Sequence, residues 1–160
     1  MYYGQHRAFT QIELIFVMLI VGILAAVAIP RLAESRDDAQ AAICTQEAQQ
    51  LLSEVSATYT TIGYSKFSTL PIEEMNNIHV GISENEGISS PLGTLVGNGI
   101  KYMCDSEDVV EIKIIQAGAE VNLTVTDLSP ITPAAATASE LIRKLNNINV
   151  SGGTRTFKLQ

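Results

Sequence analysis

Glu13 is the only charged side chain in the apolar run from Ile12 to Ile29. A carboxylate at bilayer depth costs roughly 2.5–3.5 kcal/mol. Its chemistry is that of an acid in need of a cation, unless it simply rests in the aqueous interface beside the start of the helix. The two cysteines, Cys44 and Cys104, can form one disulfide or stay as two buried thiols, and export from the cytosol favours the bond. Asp105, Glu107 and Asp108 are close enough in sequence to ligate calcium, or to sit solvated in a hairpin turn. Glu120-Val121-Asn122-Leu123-Thr124 holds an N-x-T sequon with an acid two residues before Asn122. That is the form of an extended N-glycosylation acceptor, and equally of a polar strand surface. His6 and His79 stand alone, and a lone histidine in a strand is more often structural than a ligand. There is no P-loop, dinucleotide-binding glycine fingerprint, HExxH or nucleophile elbow in the sequence. The expectation is a non-enzyme with no metal site and no cofactor.

With 160 residues, 46% of them hydrophobic, the chain can hold one ordinary domain plus an anchor. A formal net charge of −7 argues against a phosphate-binding surface, so nucleic acid is not an expected partner.

The elements that must position these residues follow from periodicity. Eighteen residues from Ile12 to Ile29 give a helix of about 27 Å, close to a hydrocarbon core. A secretory signal places its small-residue cleavage site after the apolar stretch, whereas here Gly4, Gln5, His6, Arg7 and Ala8 precede it. A cut near Ala8 leaves the helix on the mature chain. From Arg31 to Ile62 there is no Gly or Pro, and Ala41, Cys44, Ala48, Leu51, Val55, Tyr59 and Ile62 recur at spacings of three and four, which marks one helix face. Gly63 is the expected stop. Residues 64–99 read as a partly irregular loop with one strand candidate at Ile78 to Ile82.

Three stretches then alternate with period two: Ile100 to Cys104, Val110 to Ile114 and Val121 to Val125. They predict an antiparallel sheet with one dry and one wet face, its hairpins turning at residues 105–108 and 117–119. Thr132 to Leu145 reads as a short helix with Pro133 in its first turn and Leu141, Ile142 and Leu145 as its apolar residues. The last nine residues read as a closing strand. Cys44 on the helix face and Cys104 on the strand face can meet if the sheet packs on the helix. The fold class is therefore α+β: a leader at 1–8, a membrane-spanning helix at 9–30, its amphipathic continuation at 31–63, and an antiparallel-sheet domain at 64–160.

The stretch "AFTQIELIFVMLIVGILAAVAIPRL" strongly resembles the N-terminus of the type IV pilin and pseudopilin superfamily. The likeness is close over residues 7 to 36 and beyond them is one of architecture. It implies leader cleavage between Ala8 and Phe9 by a prepilin peptidase, N-methylation of Phe9, and Glu13 as the fifth mature residue. It also implies Gly22 and Pro30 as helix breakers. Phe9 and Glu13 would serve assembly, the new α-ammonium of one subunit meeting Glu13 of another. The implied product is a helical homo-oligomer, built by pilus assembly machinery from an inner-membrane precursor into an extracellular pilus or periplasmic pseudopilus. Ala8 stands where the family usually has Gly, and Gln11 where it usually has an apolar residue.

Two rivals share parts of this pattern: a pseudopilin of a secretion or DNA-uptake machine, and a single-span membrane protein with a small periplasmic binding or sensor domain. Only the superfamily readings require the leader to be removed. N-terminal sequencing of surface material is expected to begin at Phe9, and a start at Met1 contradicts the processing reading.

Overall fold

The computed structural model describes residues 9–75, 86–90, 96, 99–118, 120–148 and 152–159. The leader reading at 1–8, His79 and the strand reading at Ile78 to Ile82 lie outside them. The chain forms two compact units, one ending at Arg36 and the other beginning at Asp37. Helix α1, Gln11–Phe67, contributes to both.

In the first unit α1 is apolar on every side. Phe16, Met18, Val21, Leu24 and Ile29 point different ways around it, and each is more than half exposed. Isolated exposed hydrophobes are ordinary, but a continuous cylinder of them is not a surface that water tolerates. The helix is long and apolar enough to cross a membrane. Neither Gly22 nor Pro30, expected as breakers, interrupts it. The only non-helical residue inside α1 is Gly63. Pro30 still removes the N–H that would reach the Ala26 carbonyl, and Gly22 is less favourable than Ala by about 1 kcal/mol, so both loosen the helix without ending it.

At Gly63 the backbone takes φ 72° and ψ 164°, a region open to glycine alone. The expected stop is thus a break after which one more turn runs to Phe67. That turn brings the Phe67 ring into the core, edge-on to Tyr59 with centroids 5.6 Å apart.

In the second unit, α1 buries the face its periodicity announced: Ala41, Cys44, Ala48, Leu51 and Val55 are fully enclosed, and Leu52 joins them. Opposite lies a five-stranded antiparallel sheet in sequence order, β1 (Glu86–Ser90), β2 (Ile100–Cys104), β3 (Glu107–Ala117), β4 (Glu120–Asp127) and β5 (Thr154–Leu159). β1 falls in a stretch read from sequence as irregular loop. It is five residues with only one large apolar side chain, Ile88, too few to show an alternation. β2 and β4 alternate strictly between buried and half-exposed.

β3 alternates from Val110 to Ile114 and departs from it on either side, most clearly at a bulge before Val110. Tyr102 pairs with Val110 but Met103 pairs with Asp108, so Val109 is an extra residue, and the bulge turns both Val109 and Val110 inward. The β2–β3 turn runs through Asp105 (φ 50°) and Ser106 (φ 65°), the left-handed pair that a two-residue hairpin of matching twist requires.

Helix α2, Pro133–Leu145, starts with Pro133 in its first turn as expected. Its buried face differs from the expected one. Ala134, Ala135, Ala138, Ser139 and Ile142 face inward, whereas Leu145 is 61% exposed and Leu141 37%. Small side chains let α2 lie close against the sheet, and that close approach selects the alanine stripe over the leucines.

Leu51 belongs to the hydrophobic core and has no exposed surface. Leu51→Ala is expected to lower unfolding free energy by about 2–5 kcal/mol, read as an earlier midpoint in chemical denaturation at unchanged m-value.

Candidate assembly site

The start of α1 is built by two side chains. The Thr10 backbone N–H donates to Glu13 Oε2 at 3.2 Å and the Thr10 hydroxyl donates to the same oxygen at 3.1 Å. In return the Glu13 N–H donates to Thr10 Oγ1 at 3.3 Å. This reciprocal pattern is a capping box, T-x-x-E, which satisfies donors that the first helical turn leaves without partners. The carboxylate also sits at the positive end of the helix dipole. Glu13 is therefore held at the helix entrance by its own chain, a role that the spacing of Thr10 and Glu13 announces. Phe9, immediately before the box, is 78% exposed.

Cys44 and Cys104, the second pair singled out, are joined. Their Cα atoms are 6.0 Å apart, 60 residues apart in sequence, and neither has exposed surface. Closing a loop of that length stabilises by about 4 kcal/mol in the chain-entropy picture. Beside the bond, the buried Tyr102 hydroxyl donates to Glu47 Oε2 at 2.7 Å, a further tie between β2 and α1.

The three clustered carboxylates do not converge. Glu107 Oε2 accepts from the N–H groups of Ile131 (2.6 Å) and Thr132 (2.9 Å), ahead of α2. The Thr132 N–H foremost, with Ile131, holds the Glu107 carboxyl below the usual glutamate value. Asp108 pairs with Lys101 at 3.1 Å. Among the described residues no three His, Cys, Asp or Glu side chains group as a metal site would require.

Asn122 lies on the wet face, half-buried, between Ile115 of β3 and Lys158 of β5. The hydroxyl of its sequon partner Thr124 donates to the Lys113 carbonyl at 2.9 Å. An acceptor asparagine in a strand paired on both sides is poorly presented for modification once the sheet has formed.

Asp127, which sequence reasoning missed, is a heavily used carboxylate of the second unit. It is 4% exposed and accepts from the Ser139 hydroxyl on α2, from the Gly152 N–H at 2.8 Å and from the Ser129 N–H at 3.3 Å. It thereby ties the end of β4 to α2 and to the approach to β5. Its only sequence signal is a polar residue ending an alternating strand, which looks like any other strand terminus. Burial pushes the Asp127 carboxyl up, but the Ser139, Gly152 and Ser129 donors outweigh it and hold the group below its ordinary value.

A folded-state pKa below the unfolded one contributes stability that is present above the unfolded value, near 4, and is lost as pH falls through the folded value. Asp127→Asn is expected to destabilise the second unit by about 1–3 kcal/mol at pH 7. It should also flatten the fall in stability below pH 4, as followed by thermal melts across pH 2–7. No family model, curated relative or solved structure matches the chain.

Proposed function

We propose that this chain is the structural subunit of a type IV pilus-like filament. The observation that carries the reading is a helical stretch from Ile12 to Ile29, exposed and apolar all round, whose single acid sits at its entrance, continuing into a disulfide-closed α+β unit. Lipid is one cover for such a surface, and the same helix from other copies is another. Only the second gives Glu13 a purpose beyond capping.

In this reading the precursor waits in the inner membrane. Cleavage between Ala8 and Phe9 by a prepilin peptidase frees an α-ammonium on Phe9, one residue before the capping box, and methylation leaves its charge in place. An incoming subunit offers that cation to Glu13 of a neighbour already in the filament. Away from water the pair attracts strongly, while an uncompensated carboxylate there is penalised, so the pairing recruits the subunit and sets its axial register. Thr10 holds Glu13 at the helix end, where such a cation arrives. The stretch from Gly22 to Pro30 supplies the compliance that packing helices of neighbouring subunits around an axis demands. The sheet domain then forms the filament surface.

Two substitutions separate charge from capping. Glutamine serves a capping box as glutamate does, so Glu13→Gln is expected to keep the helix start and membrane insertion while losing filaments. Glu13→Ala is expected to lose filaments and fray the first turn. The measurements are electron microscopy of sheared surface fibres and membrane fractionation. Normal fibres from Glu13→Gln would remove the charge-pair mechanism.

A further inference from the structure

The Cys44–Cys104 bond joins α1 to the last residue of β2, and the sheet register fixes what that means under tension. Cys104 pairs with Glu107, the first residue of β3. Leu159, the last residue of β5, pairs with Val121, which pairs with Gln116, nine positions on from Glu107. Cys104 and Leu159 therefore lie at opposite ends of the sheet, about 30 Å apart along the strands.

We infer that the disulfide is the tensile link of the protein: a pull along the chain from α1 passes through it to Cys104, at the very end of β2, enters β3 and crosses the sheet lengthwise. In that geometry the ladder bonds of β3, β4 and β5 are loaded together as a shear, not opened one at a time. Residues 45–103 stay out of the load path. They include the α1 segment bearing Ala48, Leu51, Leu52 and Val55, whose contacts with the sheet a pull on an unlinked helix peels turn by turn. Both sulfurs are fully buried, so solvent reductants reach the link only after the core opens. The inference uses only the covalent path and the register, and does not need the filament reading.

The test is single-molecule pulling of the full chain in detergent micelles, with handles at the two termini, comparing wild type with Cys44→Ala/Cys104→Ala. Wild type is expected to give one high-force rupture and a final length shorter by about 200 Å, the extended span of the withheld segment. The double variant is expected to lengthen first at low force, as α1 peels, and only then to rupture the sheet. A variant with the same rupture force and no early lengthening overturns the inference, as does a wild type that extends to the unlinked length. If the double variant does not fold, moving the C-terminal handle of wild type to Ser106, two residues past the link, replaces it. The load then bypasses the sheet and no rupture is expected, whereas a rupture releasing the length of the sheet refutes the path.

Discussion

A helix that is apolar on every side has no stable place in water, and the rest of the molecule is arranged around that fact. At about 25 cal/mol per Å² of apolar surface, the side chains from Ile12 to Leu32 represent a large stabilisation that the monomer does not collect. None of the most apolar window of this helix is buried within the chain. Among the described residues nothing covers it, and the one acid in the segment makes the kind of cover matter. The capping box with Thr10 explains how Glu13 is tolerated at the helix entrance. It does not by itself explain why an acid stands there, since Gln would cap as well.

The same helix changes character once it enters the second unit. Its inward face is lined first by the small Ala41, Cys44 and Ala48 and then by Leu51, Leu52 and Val55. The disulfide sits at the small end, where few apolar atoms are available to hold helix and sheet together, and the larger side chains serve the other end. Beyond them the break at Gly63 returns Phe67 to the core. α2 is fastened differently, by the Glu107 and Asp127 carboxylates accepting from donors at its start and on its face. These are polar ties whose strength depends on pH, in a unit otherwise held by apolar packing and one covalent bond.

The parts of this fold written in a period of two or of three and four were legible in the sequence. The α1 face, the strands β2, β3 and β4, and the meeting of Cys44 with Cys104 each rest on several residues repeating one spacing, so that no single exception hides the pattern. What escaped depends on one or two residues whose role is set by distant partners. The inward turn of Val109 follows from a register shift against β2, and the alanine face of α2 from how near the sheet lies. Asp127 collects donors from residues 129, 139 and 152, which no local window contains. The Thr10–Glu13 box is the exception, being local and visible as T-x-x-E.

The sheet ends at β5, whose register against β4 is unbroken over six residues. A regular edge of that kind is a template for pairing with another strand. Here it carries Arg155 and Lys158 and no acid. Lys158 is paired with Glu120 of β4 at 2.8 Å, which leaves Arg155 as the cation that a second copy set against it in register would meet with its own Arg155, a repulsion that grows as water is squeezed out. The edge thus discriminates against its own duplicate.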